Sequence, residues 1–213
     1  MFDVPHHLGA ITRSVESTNR DGRPAKVVVA TRTYPSGPDD VWSALTDRER
    51  LPRWFAPVSG DLEPGGRFQV EGNAGGEILA CDRPSRLSLT WEMAGGVSWV
   101  DVDLDGSEES TTLTLRHTAD QLDPEFYETY GPGAVGVGWE LGLMGLAEHL
   151  ATGETMDHDE VEAWGATQGG RDFMSGSAAG WGEAAVADGD EPDAARAAAG
   201  RTTAFYTGAE PPA

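Results

Sequence analysis

Residues 131–150 read GPGAVGVGWELGLMGLAEHL, and how this stretch folds decides the architecture of the chain. Projected at the helical rotation of about 100° per residue, Trp139, Leu143, Leu146 and Leu150 fall on one stripe. Gly138, Gly142 and Gly145 form a second stripe beside it, and Leu141 with Met144 a third. Only a narrow strip near Glu140, Ala147 and Ala151 is left for solvent. A helix that is apolar round most of its circumference has to be enclosed on several sides, and Glu140, Glu148 and His149 make it a poor membrane span. A curved sheet would enclose it. Each glycine costs roughly 1 kcal/mol of helix propensity relative to Ala, so either backbone packs closely against these positions or a cavity is left beside them. The residues alone leave both open.

Upstream, the period is two. Leu87, Leu89, Trp91 and Met93 alternate with Arg86, Ser88, Thr90 and Glu92, the clearest strand pattern in the chain. Phe68 and Val70 alternate with Arg67, Gln69 and Glu71, and strands are likewise expected at 77–81, 97–105 and 111–117. This is an antiparallel meander with one buried face and one wet face. Before it, KVVVATRTY (26–34) reads as a strand bounded by Pro24 and Pro35, Pro38-Asp39-Asp40 opens a short helix, and Arg48–Phe55 forms a second short helical or turn segment. The order of one strand, two short helices, several strands and a long helix predicts an α+β helix-grip: a curved antiparallel sheet around a long helix, followed by a helical C-terminal extension.

Composition narrows the function classes. A chain of 213 residues with 38% hydrophobic content and seven Trp supports one substantial core plus an extension. The formal net charge of -21 repels nucleic acid and anionic headgroups, which excludes a phosphate-binding or membrane-surface role for the whole chain. Cys81, the one cysteine, rules out an intramolecular disulfide and fits a reducing compartment. The opening MFDVPHHLGAITRSV lacks a basic segment followed by an apolar one, so a cytoplasmic protein is expected.

Three parts follow: an N-terminal segment (1–25) with a short strand at Ile11–Val15, the helix-grip domain (26–153), and an acidic, Ala-rich helical extension (154–213). Gly169–Ala187 and Glu191–Tyr206 are its two expected helices, forming a hairpin packed on the outer face of the sheet beside Trp99, with a dimer contact or a lid as the functional alternative.

The run TRTYPSGPDDVWSALTDRERLPRWFAPVSGDLEPGGRF, then GEILACDRPSRLSLTWEM and the long helix, resembles the START-like (SRPBCC) superfamily. The branch is similar to the C-terminal domain of the activator of Hsp90 ATPase. Four motifs carry the resemblance in order: Tyr34-Pro35 with Val41-Trp42, Trp54-Phe55, Gly65-Gly66-Arg67-Phe68, and Gly76-Glu77-Ile78 leading through Pro84 and Leu87 to Thr90-Trp91. It covers residues 26–152. The resemblance implies a cavity between sheet and long helix that often binds apolar molecules, in a family that includes lipid carriers, aromatic polyketide cyclases, hormone receptors and co-chaperones. Fold constrains function weakly in such a family.

Candidate sites are few. Gly131-Pro132-Gly133-Ala134-Val135-Gly136 fits G-x-G-x-x-G, but no strand precedes it and no βαβ units surround it, so a tight lead-in to the helix is the better reading. His6 and His7 are expected in a loose terminus, and His149 and His158 straddle a break at Gly153 with Asp157, Asp159 and Glu160 nearby. Without HExxH or CxxC, no metal site and no cofactor is assigned. His117 continues the inward phase of Leu113 and Leu115: it is either a satisfied core histidine or a polar group in an apolar cavity. Glu71 and Glu77 point outward or lie near a turn, so no carboxylate partner completes a catalytic dyad.

The expected cavity lining is Trp54, Phe55, Phe68, Val70, Leu89, Trp91, Leu115, His117, Trp139 and Gly142. Core packing accounts for some of these aromatics, and an apolar ligand site needs the same residues. The expected function is non-catalytic binding of a small apolar or aromatic molecule. The alternatives are a co-chaperone-like interaction module, with a homodimer or protein partner reached through the extension, and a cyclase- or hydrolase-type enzyme using the same cavity.

Overall fold

The computed structural model describes residues 2–120, 124–156 and 158–210. Helix α1 (Val4–Gly9) is capped by Asp3, whose carboxylate accepts from the His6 amide at 3.1 Å. Strands β1 (Thr12–Arg20) and β2 (Arg23–Tyr34) join through Asp21 and Gly22, both at positive φ (51° and 81°), as a tight hairpin with the right-handed twist requires. Pro38 in the first turn of α2 (Pro38–Thr46), with Asp39 and Asp40 beside it, suits the positive end of the helix dipole. A 3-10 turn (Leu51–Arg53) follows.

Then come β3 (Val58–Gly60), β4 (Arg67–Val70), β5 (Gly75–Asp82), β6 (Arg86–Met93), β7 (Gly96–Ser107) and β8 (Ser110–Asp120). Helices α3 (Pro124–Tyr130), α4 (Gly133–Thr152), α5 (His158–Gly165), α6 (Gln168–Ala187) and α7 (Pro192–Thr207) complete the chain. Thr167 caps α6; Glu191 caps α7, which starts at Pro192 and stops at Gly208 in the left-handed conformation. The strands form one curved, unclosed antiparallel sheet in the order β1-β2-β8-β7-β6-β5-β4-β3. The fold is α+β and helix-grip-like, with α4 its long helix. Among the described residues, no helix is long and apolar enough to cross a membrane.

Two compact units share the chain, and β2 and α4 contribute to both. The first comprises residues 1–30, 120–141 and 157–213. In it α6 packs against α7, β1, α1 and α5, and α7 against α3. Trp181 and Phe173 of α6 are fully buried. Gly136 lies under the Trp181 indole: a Cβ there would stand 2.2 Å from Cε2, so this glycine exists for close packing. Trp139, in the same unit, is partly buried.

Two expectations are corrected in this unit. Glu140, assigned to the solvent strip, is 0% exposed, and its carboxylate accepts from Arg13 Nε and Nη2 of β1, each at 2.7 Å. The N-terminus is not loose: His7 is buried in α1, between Phe2 at 6.2 Å and His6 at 5.5 Å, ring centre to ring centre.

The second unit, residues 31–119 and 142–156, holds the sheet from β3 to β8. Cross-strand pairing runs Val58↔Val70, Phe68↔Gly76, Ile78↔Leu89, Leu89↔Val100, Val102↔Leu115 and Leu104↔Leu113, which gathers the apolar phase of every strand on one face. Tyr34, 1% exposed, donates its hydroxyl to Leu143 O of α4 at 3.2 Å. Gly145 meets the Trp54 carbonyl, 2.7 Å from where a Cβ would sit, so backbone packs on backbone there.

Candidate functional site

The apolar face of the second unit is not filled. A recess of about 120 Å³ opens beside Phe68, Val70 and Ile78 of β4 and β5. Leu87, Leu89 and Trp91 of β6 form one wall; Leu45, Leu51 and Phe55, from α2 and the turn after it, form another. Phe68 and Trp91 stand 6.2 Å apart, ring centre to ring centre. Thr46, Val58, Leu62 and Cys81 complete the lining.

Five expected lining residues meet here: Phe55, Phe68, Val70, Leu89 and Trp91. The other five lie elsewhere. Trp54 turns its indole N–H to Ala44 O at 3.0 Å, and its ring lies tilted beside Phe55, 5.5 Å between ring centres. Leu115 is buried opposite Val102 in the body of the sheet. Trp139 belongs to the first unit. Gly142 borders open space, since a Cβ there would find only Phe55 Cδ2, at 4.0 Å. Close packing and free space therefore both occur along α4: packing at Gly136 and Gly145, space at Gly142.

Cys81 escapes the sequence pattern for a local reason. Strict alternation from Ile78 sends Cys81 outward, but the β5–β6 register shifts between Ile78 and Ala80, so Cys81 pairs with Leu87 and shares its inner phase. Leu79, at the bulge, is 47% exposed.

The segment that closes the recess is held by polar ties. Arg50, next to Leu51, pairs with Asp40 Oδ1 at 2.8 Å and donates to His149 Nε2 at 3.3 Å. The other ring nitrogen of His149 faces Glu154 O at 3.0 Å; a carbonyl only accepts, so Nδ1 carries the proton and Nε2 the lone pair. Partial burial works against the charge on Asp40, but the Ser36 hydroxyl and the Arg50 guanidinium outweigh it and hold the carboxyl below its ordinary range.

His117 lies on the same inner face, beside Ser98, with Nε2 2.7 Å from Ser98 Oγ. Ser98 pairs with Trp91 across the strands and donates its hydroxyl to Trp91 O at 3.1 Å. With that proton committed, Ser98 accepts from the ring, and His117 acts as donor rather than base. Burial pushes the imidazole down to about 4. The folded state thus binds its proton below the unfolded value of about 6.5, so stability from this residue is complete above that pH and is lost as pH falls toward 4. The loss amounts to about 3 kcal/mol. Urea unfolding at pH 7 and pH 4 should show His117→Asn losing less stability than wild type by about this amount; equal losses would show that His117 does not titrate in this way.

Among the described residues, no cluster of three or more His, Cys, Asp or Glu side chains is placed to hold a metal ion. Asp157 and the His158 side chain lie outside the described residues. The G-x-G-x-x-G run follows helix α3, and Gly133 packs on Thr202, 3.2 Å from where a Cβ would reach its Cγ2.

The family profile for Activator of Hsp90 ATPase homolog 1-like protein matches residues 36–151, more than half of the chain and the whole of the recess. The chain belongs to this family. Among curated proteins there is no match. Solved structures extend the family likeness: the solution structure of CalU16 from Micromonospora echinospora is 30% identical, with a TM-score of 0.68 over 84% of this chain and 97% of that one. Its crystal structure gives 28% identity and a TM-score of 0.65, covering 85% and 99%. DynU16, a protein in the dynemicin biosynthetic locus, is 26% identical with a TM-score of 0.54, covering 62% of this chain and 50% of that one. The CalU16 alignments take in more of the chain than the family segment does, so residues outside 36–151 are shared with CalU16 as well.

Proposed function

We propose that the chain binds a small apolar, ring-bearing molecule in the recess of the second unit and does not transform it. The observation that carries this reading is an unfilled volume of about 120 Å³ walled by Phe55, Phe68, Leu89 and Trp91. The recess is open on one side, and a ligand seated in it would cover an almost wholly apolar lining. The volume approaches the roughly 150 Å³ of an apolar cavity that takes up benzene. The recess therefore accepts one ring, and any larger ligand extends through its open side. Ser98 and His117, adjoining Trp91, offer a polar anchor within the same face. Binding fits this pair better than catalysis, because the Ser98 proton goes to a carbonyl. A relative from a biosynthetic locus supports a small molecule as the ligand.

Cys81 makes the test direct, being the only thiol and part of the lining. Naphthalene or toluene at ~10 times its Kd should slow Cys81 modification by a thiol-reactive dye about tenfold, by mass action. Leu89→Trp, which fills the recess, should remove that protection while the protein stays folded. Unchanged labelling and an unchanged Tm in saturating naphthalene would reject the binding reading.

A further inference from the structure

The first unit carries a second surface with features of its own. Phe126 and Phe205 are 49% and 67% exposed, although both are large apolar side chains. They flank Tyr130, at 5.2 Å and 5.8 Å between ring centres, so α3 and α7 together present an aromatic ladder to water. Such exposure in a contiguous row marks an interaction site rather than scattered surface. Tyr130 also borders a cleft of about 480 Å³ between α3, the start of α4, α6 and α7. The cleft walls are small, including Ala194, Ala198 and Gly182.

Acidic side chains outnumber basic ones in the lining of the cleft. Lys26, the only lysine in the chain, lies at its edge and is taken up by Asp188 at 2.5 Å and Asp190 at 3.3 Å, above the Tyr127 ring. Asp190 also accepts from the Tyr127 hydroxyl at 3.1 Å. Lys26 is committed to these carboxylates, Arg201 of α7 is committed to the Thr129 and Glu128 carbonyls at 2.6 Å and 3.2 Å, and Glu191 caps α7, so the Glu128 carboxylate at the cleft edge sets the sign of what remains. A narrow, aliphatic-walled slot with carboxylates at its rim suits a long cationic side chain, whose stem is apolar and whose head is charged.

We propose that the α3–α7 face docks a segment of a basic partner protein in which a Lys or Arg is flanked by apolar residues. The cationic side chain enters the cleft toward Glu128, and its apolar neighbours cover Phe126 and Phe205. A second copy of this chain is the wrong occupant, because each copy brings a formal charge of -21 to the contact.

The test uses the full chain and a fluorescein-labelled Leu–Lys repeat peptide as probe, with a Leu–Glu repeat of the same length as its counterpart. Fluorescence anisotropy at physiological salt should show binding of the first and none of the second. Phe126→Ser/Phe205→Ser should weaken binding about tenfold or more, the loss typical of removing interface anchors. Glu128→Gln should slow association and flatten its salt dependence. Leu79→Ser/Met93→Ser, which removes exposed apolar side chains of the other unit, should change nothing. Circular dichroism melting checks that the serine variants remain folded, as the exposure of both phenylalanines implies. No binding of the Leu–Lys peptide, equal binding of the Leu–Glu peptide, or undiminished binding by Phe126→Ser/Phe205→Ser would overturn the proposal. A wild-type dimer in sedimentation that the same double variant dissolves would instead assign the face to a second copy.

Discussion

Glu140→Ala should destabilise the protein by about 3–5 kcal/mol, the cost of leaving one member of a buried ion pair without its partner. Glu140 is fully buried, and both of its oxygens accept from the Arg13 guanidinium, which is itself only 14% exposed. Arg13 also donates to the Leu8 and Ile11 carbonyls, so the cation cannot swing out to water without abandoning those groups as well. Gly180 presses on the guanidinium from α6, with a Cβ position 3.1 Å from it. The pair is a device for registering β1 against α4 more than a source of net stability, because two desolvated charges recover little beyond their own burial cost. Arg13→Met combined with Glu140→Leu should therefore regain most of what Glu140→Ala loses. Urea midpoints of the single and double variants measure this, and a double variant no better than the single would show that the pair stabilises in its own right.

Gly136→Ala should cost about 3 kcal/mol, whereas Gly142→Ala in the same helix should gain up to about 1 kcal/mol. At Gly136 the added methyl would sit 2.2 to 2.6 Å from three atoms of the Trp181 indole, and that side chain is fully buried with no room to retreat. At Gly142 the methyl meets Phe55 at 4.0 Å, an ordinary contact, and the helix recovers the propensity that glycine forfeits. Thermal melts of the two variants should move in opposite directions. Shifts of the same sign would mean that helix propensity, not neighbouring packing, governs the glycines of α4.

The order of strands and the long helix were legible because alternation at Leu87, Leu89 and Trp91 and the all-round apolar character of α4 each admit one buried arrangement. Glu140 was misplaced because a helical projection scores a carboxylate as solvent-facing, and its partner Arg13 is 127 positions away, beyond any local pattern. His7 was misplaced for a similar reason: α1 is six residues long, too short to show a period. Of the residues expected to line a cavity, Phe68, Val70, Leu89 and Trp91 stand on regular strands and border the recess. Cys81 was hidden by a bulge that reverses the phase of β5, and Leu62 comes from a loop without any period. Trp139 is partly buried in the first unit, and stripe membership tells which side of a helix is apolar but not which neighbour covers it.

The unclosed sheet has another consequence, for the solubility of the chain. Its terminal strands, β1 and β3, are where a foreign strand would add by backbone pairing. β3 offers three residues and ends on Gly60 at a φ of 111°, too short and too bent to act as a template. β1 is nine residues long, and its protection is a side chain: Asp188, at the end of α6, takes the Ser17 amide at 3.1 Å and the Ser17 hydroxyl at 2.7 Å. The carboxylate occupies a donor that an incoming strand would need, and Lys26 anchors it there. One aspartate outside the sheet thus occupies an edge donor of a strand that a closed barrel would have paired.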